Sequence, residues 1–372
     1  MASEDIGRIM SIQSHVAYGY VGGKAATFPL QLLGYDVDVV NTVNFSNHSG
    51  YRRFGGTKAS AEELDAMFSA MKQNGLLRPT RILTGFVFGA EALSVVARSV
   101  TKLLQDDPQI VYLLDPVMGD AGRLYVSPDV IPIYRSLLPK ATIITPNWFE
   151  AETITEIKIV DRASLQKVLT VLHETYSVPN VVISSIPMAK WLWDATLTDV
   201  RSASCDQEQS LLCLTSVRAA PGTVSGPPSV VYTGCVPLVP GYFSGVGDLF
   251  SALVLGHYSP PSPSPSTDSP PPLVRAVSLA LTKTHAMLCF TEKHAFMLPP
   301  EERTVTDDEL DEANPERRIR RMRARELRLV QGRKILSGEA MGELREMRKW
   351  EGFWTSDNKA YTSIHPTLYC SA

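Results

Sequence analysis

The chain has 372 residues, is 44% hydrophobic and 20% charged, and carries a formal net charge of -3. That is globular composition, enough for one large α/β domain or two small ones, with no global basic field to recruit nucleic acid. The five cysteines (Cys205, Cys213, Cys235, Cys289, Cys370) form no Cys-x-x-Cys pair, no run of about 18 apolar residues occurs, and no charged-then-apolar leader opens the sequence, so a cytoplasmic protein without zinc, disulfides or a membrane span is expected.

Arg8 to Ile12 reads as a strand, followed by a Gly-rich turn and a helix from about Lys24 to Leu33. Asp36 to Val40 is a second strand. From Ala61 to Lys72 the spacing is helical, with Leu64, Met67, Phe68 and Met71 on one face and the acidic start Glu62-Glu63 suited to a helix N-terminus. Further strands follow at Arg81 to Gly85, Gln109 to Asp115, Ala141 to Thr145 and Asn180 to Ser184. These runs are apolar throughout rather than alternating, the pattern of strands covered on both faces. With helical segments between them as parallel crossovers, the fold class is α/β: a doubly wound, mostly parallel sheet with helices on both faces.

Residues 1–337 are expected to form a single domain, with insertions at 203–229, 259–272 and 301–322 and a tail of unassigned role at 338–372. The stretch 203–229 reads as irregular, and 259–272 is nearly all Pro and Ser and reads as a surface loop. The acidic block around Asp307 to Glu312 and the basic one from Arg317 to Arg328 read as a solvated, self-neutralising segment, leading into a last strand at Arg328 to Gln331.

Ligands of such sheets sit beyond the carboxyl ends of the strands. Ser11, Ser14, Asp115, Thr145, Asn147, Ser184 and Ser185 close these strands and should converge on one edge. Late in the chain, Gly245-Val246-Gly247-Asp248 runs into the apolar Leu249-Phe250-Ser251-Ala252-Leu253. Two glycines before a buried helix let backbone N–H groups face a phosphate, and the helix dipole favours negative charge there. Asp248 then reads as a base beside an attacking hydroxyl or as an ordinary helix N-cap. Asp115-Pro116-Val117-Met118-Gly119-Asp120 sets two carboxylates across a turn, costly unless a cation is near, and Mg²⁺ with nucleotide phosphates suits them. Asn147 and Glu150 share one side of a first helical turn: Glu150 either holds a metal-bound water or serves the helix dipole, and Asn147 reads as a contact for phosphate oxygens. The stretches Ser11 to Gly23 and Asn44 to Tyr51 mix small polar and aromatic side chains, as pockets for a flat heteroaromatic ligand do.

With these segments in view, the sequence resembles the pyridoxal kinases of the ribokinase-like superfamily. The matching strings include Ser-Ile-Gln-Ser-His-Val at 11–16, Gly-Tyr-Val-Gly at 19–22, Phe-Ser-Asn-His-Ser-Gly-Tyr at 45–51, Asp115 to Asp120, Thr145-Pro146-Asn147, Phe149-Glu150 and Gly247-Asp248-Leu249-Phe250, with a weaker echo from Glu326 to Leu336. The resemblance implies ATP-dependent phosphorylation of the 5'-hydroxymethyl group of pyridoxal, pyridoxine or pyridoxamine by a homodimer. It implies Asp248 as the base, with Gly245, Val246 and Gly247 as the anion hole. Ser14, Val21, Ser49, Phe86 and Tyr125 would line the vitamer side, Tyr125 from a short lid. Asp115, Asn147, Glu150, Ser184, Ser185 and Gly247 would meet ATP. Asp115, Asp120 and Glu150 would serve Mg²⁺, and Thr145 a monovalent cation. Three departures stand out: Phe86 where many members carry Tyr, Val246 where many carry Thr, and a short lid at Ala121-Gly122-Arg123. A hydroxymethylpyrimidine kinase would share Asp115 and Asp248 and differ in its ring pocket. A catalytically dead vitamin-binding scaffold would have no physical need of Asp115, Asp120, Glu150 and Asp248 together.

Overall fold

Strand residues alternate between two apolar cores, one on each side of the sheet. The computed structural model describes residues 7–120, 122–195, 206–207, 209–219, 226–261, 270–302 and 308–355. Its strands are β1 (Arg8–Val16), β2 (Asp36–Phe45), β3 (Gly56–Lys58), β4 (Arg81–Thr84), β5 (Val111–Leu114), β6 (Gly119–Asp120), β7 (Arg123–Leu124), β8 (Ile143–Ile144), β9 (Asn180–Pro187), β10 (Ser210–Arg218), β11 (Ser229–Pro237) and β12 (Arg348–Lys349). The main sheet runs in the order β12-β11-β10-β9-β8-β5-β4-β1-β2-β3, and β6 pairs with β7 as a separate ribbon. Pairings from β2 through β9 are parallel, and the outer strands β3, β10, β11 and β12 are antiparallel.

Met10, Ile12, Ile82, Tyr112, Leu114, Ile144, Val181 and Ile183 face a core shared with the helices Ala61–Gln73, Ala90–Asp106, Trp148–Thr155 and Arg162–Thr170. Their sequence neighbours Ile9, Leu83, Val111, Leu113, Ile143 and Val182 face the other core, shared with Gly23–Leu32, Val246–His257, Pro272–Ala295 and Arg333–Ser337. Period-two alternation with apolar residues at both phases is what a sheet buried on both faces requires. The helix Ala61–Gln73 starts on a capping box: Ser60 Oγ accepts from the Glu63 N–H and Glu63 accepts from the Ser60 N–H. Pro272–Ala295 is long and apolar enough to span a bilayer, yet 61% of its apolar window is buried inside the fold.

Several expectations are corrected. β1 extends to Val16, so Ser14 lies within the strand, at a register shift after Gln13 that re-aims its side chain. The stretch 203–229 is not an irregular insertion: within it β10 pairs with both β9 and β11. The stretch Arg328 to Gln331 is a turn rather than a strand, and its Leu329 is a single buried anchor. Residues 308–322 are not a solvated segment, since Asp311 is buried and accepts from Arg317 at 2.5 Å and from Arg321 at 2.6 Å. The tail joins the fold through β12 and the buried Trp350 and Phe353. Most of 259–272 lies outside the described residues, as do 303–307 and 356–372.

Candidate active site

The helix Val246–His257 begins on Gly245, which adopts φ 78° and offers no side chain to cap the helix. A Cβ at Gly245 would lie 2.0 Å from the Tyr20 carbonyl oxygen, so only glycine lets the loop after β1 pass this close. The first helical bond runs from the Leu249 N–H to the Gly245 carbonyl at 3.0 Å. The N–H groups of Val246, Gly247 and Asp248 therefore precede the helical ladder. Around Gly247 a Cβ would meet nothing within 4 Å, which leaves space for a ligand beside that backbone. Asp248 sits three residues inside the helix, which removes its reading as the N-cap. Its carboxylate is partly buried and accepts from the Gly22 N–H at 2.7 Å.

One turn further on, Ser251 is fully buried in an otherwise apolar helix face. Its hydroxyl donates to Asp115 Oδ2 at 2.9 Å and lies 2.9 Å from the Thr145 hydroxyl. Asp115 directly follows β5 and Thr145 directly follows β8, so the helix N-terminus faces the carboxyl edge of the sheet where these two strands stop. The pairing of Ser251 with Asp115 places the acid of the Asp-Pro turn and the acid after the glycine pair on the same edge.

Glu150 is buried and its oxygens accept from the Met118 N–H at 2.9 Å, the Gly119 N–H at 3.4 Å and the Asn147 N–H at 2.9 Å. Asn147 caps the helix Trp148–Thr155, with Oδ1 accepting from the Glu150 N–H and Nδ2 donating to the Gly119 carbonyl at 2.8 Å. Both side chains thus serve a capping box and tie that helix start to the Asp-Pro turn. Asp120 is exposed and pairs through its backbone with Arg123 in the β6–β7 ribbon. That ribbon leads to Tyr125, 55% exposed, whose N–H donates to the Met118 carbonyl at 2.8 Å. Ala121 of the lid lies outside the described residues. Ser184 and Ser185 are partly buried in β9, and the Ser184 N–H donates to the Pro146 carbonyl at 3.1 Å.

On the other side of Asp248, Val21 is partly buried and Ser14 is buried beside Gly22. Ser49 is exposed at the start of a short turn, Ser49–Tyr51, capped by His48. Phe86 is partly buried, its carbonyl accepting from the Thr42 hydroxyl at 2.7 Å.

Burial holds the Asp115 carboxyl well above the ordinary carboxylate range, and the charges of Glu150 and Asp248 push it further, against the Ser251 hydrogen bond. Burial also raises Asp248, opposed by the Gly22 N–H, and raises Glu150, opposed by its three backbone donors. Asp115, raised by burial and by the charges of two neighbouring carboxyls, marks a place where a cation is stabilising. No group of three or more His, Cys, Asp or Glu among the described residues is close enough to cage a metal alone. An all-oxygen set of this kind fits Mg²⁺, which takes one or two carboxylates and completes its shell with water and substrate phosphates. Ser251 and Gly22 were missed in the sequence as partners of the acids. The signal for Ser251 is a lone hydroxyl amid Leu249, Phe250, Ala252 and Leu253.

A family model described as phosphomethylpyrimidine kinase matches residues 31–213, a span that includes Asp115 and Glu150 and stops short of Asp248. The pyridoxal kinase of Arabidopsis thaliana is 36% identical over 285 residues, covering 76% of this chain and 82% of the plant protein. The pyridoxal kinase of sheep, Ovis aries, is 38% identical over 257 residues, covering 67% of this chain and 76% of the sheep protein. The solved pyridoxal kinase from Leishmania donovani in complex with ADP and pyridoxamine aligns with a TM-score of 0.70 at 30% identity, over 92% of this chain and 99% of that one. With relatives at 30% identity or more over two thirds or more of its length, the chain belongs to the pyridoxal kinase family, within the ribokinase-like superfamily.

Proposed function

We propose that this chain transfers the γ-phosphoryl group of ATP to the 5'-hydroxymethyl group of pyridoxal, pyridoxine or pyridoxamine. The observation that carries the reading is the position of Asp248: it stands at an uncapped, glycine-started helix N-terminus and one turn from the Ser251 hydroxyl that binds Asp115. Phosphoryl transfer asks mainly for positioning and charge neutralisation. The backbone N–H groups of Val246, Gly247 and Asp248 supply donors for the transferred group. Asp248 accepts the hydroxyl proton as the new O–P bond forms and the bond to the β,γ-bridging oxygen breaks, releasing ADP. Its raised pKa makes it a stronger base than a solvated carboxylate.

Asp115 would hold Mg²⁺, with Asp120 and Glu150 near it, and Thr145 with Ser251 offers hydroxyl oxygens for a monovalent cation. Bound Mg²⁺ neutralises phosphate charge. Asn147, Ser184 and Ser185 lie along the ATP side, with Asn147 and Glu150 acting through the turn they hold. Tyr125 covers the site from its exposed ribbon and excludes water when ligands bind. Ser14, Val21, Ser49 and Phe86 form the vitamer side, where the Phe86 ring offers stacking without a hydroxyl. We take the enzyme to work as a homodimer in the cytoplasm, which size-exclusion chromatography and localisation of the tagged chain would check.

A second reading, phosphorylation of a hydroxymethylpyrimidine, is favoured by the match of residues 31–213. A coupled assay of ADP release separates the two. Turnover with the three vitamers and little with the pyrimidine alcohol is expected; the reverse ranking would replace our reading. Ligand binding without ADP release would make the chain a scaffold.

A further inference from the structure

We propose that Glu326 is a positioning residue that holds the vitamer-side wall of this site in place; the inference rests on the kinase reading above. Glu326 follows the helix Pro315–Ala324, far in sequence from the residues it touches. Its Oε2 accepts from the Tyr20 N–H at 3.0 Å. Its Oε1 accepts from the Tyr51 hydroxyl at 2.9 Å and lies 3.2 Å from His48 Nε2. The side chains of His48 and Glu326 are 9% and 10% exposed, so the charge is buried and satisfied from three directions. Gly19 makes room for it: with φ +90°, a Cβ there would sit 2.4 Å from both carboxylate oxygens.

The same contacts fix the histidine tautomer. The Gly50 N–H donates to His48 Nδ1 at 3.1 Å, so that nitrogen carries no proton and Nε2–H donates to Glu326. Nδ1 then also accepts from the Ser244 hydroxyl, 3.1 Å away and one residue ahead of Gly245. Glu326 therefore ties together three loops: Gly19 to Gly22, whose last N–H meets Asp248; His48 to Tyr51, which carries Ser49; and, through His48, the approach to the anion hole. Arg318, from the helix before Glu326, adds a bond from its Nε to the Gly50 carbonyl at 2.8 Å. The C-terminal segment thus holds the substrate-side loops from outside the site, without standing among the groups that face the reacting atoms.

The test uses the full-length enzyme and steady-state kinetics against each substrate. Glu326→Ala should raise the KM for pyridoxal by about tenfold or more, because the wall is no longer held in its binding geometry. The KM for ATP should stay within about twofold, since among the described residues Asp115, Asn147, Ser184 and Ser185 have no bond to Glu326 and the anion hole is reached only indirectly, through His48. Glu326→Gln keeps the length and one acceptor oxygen and should restore part of the loss. Tyr51→Phe should raise the pyridoxal KM by less, and adding it to Glu326→Ala should cost little more. A pyridoxal KM close to the parent's in Glu326→Ala would overturn the inference. So would equal losses for both substrates with a lowered melting temperature that Glu326→Gln does not restore, the mark of a merely structural role. If Glu326→Ala fails to fold, Glu326→Gln and Tyr51→Phe carry the test, and an unchanged pyridoxal KM in both overturns the inference. A parent enzyme that releases no ADP with any vitamer would overturn the kinase reading, and this inference with it; an active parent isolates the role of Glu326.

Discussion

The Gly22 N–H and the Asp248 carboxylate meet at 2.7 Å across 226 positions of sequence. Gly22 lies in the loop after β1, and Asp248 lies in the first turn of the helix Val246–His257, so one bond joins the vitamer-side loop to the proposed base. This gives Asp248 two separable duties. Asp248→Asn retains an oxygen that can accept from Gly22 but no longer takes a proton at neutral pH; Asp248→Ala loses both. If Asp248 is the base, both variants should keep the fold and bind ATP while losing about 10²–10⁴ in kcat. Recovery of near-parent turnover in Asp248→Asn alone would reduce the residue to a loop tether.

Ser251→Ala removes the hydroxyl that binds Asp115 Oδ2 and neighbours Thr145. A hydrogen bond to a charged group is worth roughly 1.5–3 kcal/mol. Asp115 would then be freer to move and costlier to ionise, so its affinity for a divalent cation should fall by about tenfold. The check is a Mg²⁺ activation curve: its midpoint should move to higher concentration with maximal turnover largely retained. An unmoved midpoint would separate Asp115 from the cation.

The inner strands were legible because each apolar run fills both faces of the sheet, as Ile82 and Leu83 do on opposite sides of β4. The Asp-Pro turn and the Gly-x-Gly-Asp segment were legible because few arrangements suit those residues at strand ends and helix starts. β10 was obscured by the polar and Pro/Gly-rich sequence on either side of Ser210–Arg218. Leu329 and Val330 look like a strand by propensity, but the chain turns there and only Leu329 is buried. Ser251 stood out only as a lone hydroxyl in an apolar run, and Glu326 not at all as a tie, because their partners lie 106 or more positions away. The arginines after residue 315 looked solvated because composition does not show that Asp311 folds back between two of them.

The raised carboxyls predict a pH dependence of stability. Burial pushes Glu150 from 4.5 up to about 7 in the folded protein. The folded state then binds more protons than the unfolded chain between those values, so this contribution is fully present below about pH 4.5 and is lost as pH rises through about 7. Buried His173 and partly buried His257 and His285, each lowered to about 4 by loss of hydration, act in the opposite direction, so the parent's melting curve mixes both effects. Glu150→Gln isolates the carboxyl, because glutamine resembles its protonated form. The melting temperature of Glu150→Gln relative to the parent should rise between pH 5 and pH 8 in metal-free buffer. A constant difference would mean that Glu150 titrates as an ordinary surface acid.

The described part of the segment after Ser337, residues 338–355, packs into the fold. Trp350 and Phe353 are 5% and 2% exposed and stack edge to face at 4.9 Å, and Trp354 Nε1 donates to the Ser229 carbonyl at 2.8 Å. Truncating a buried tryptophan to alanine costs about 3–5 kcal/mol through lost burial and the cavity left behind. Trp350→Ala should therefore lower the unfolding free energy by that amount, read from a urea melt, while KM values in the surviving folded fraction stay near those of the parent. A loss under about 1 kcal/mol would mean that the tail is only lightly attached.

Asp311 tests whether the arginine-rich helix is part of the core. Its carboxylate is shared by Arg317 and Arg321, and Arg321 is fully buried. Replacing a buried pair with well-packed apolar groups can be neutral, but removing one partner leaves a charge with nothing to offset its lost hydration. Asp311→Ala should cost about 3–5 kcal/mol in urea unfolding, because the buried Arg321 guanidinium loses the carboxylate beside it. Asp311→Ala combined with Arg321→Met removes that buried charge and should recover much of the loss. The helix also carries Arg318, which binds the Gly50 carbonyl, so the single variant should weaken pyridoxal binding as well as stability. A surface pair would cost under about 1 kcal/mol and would show no such recovery in the double variant.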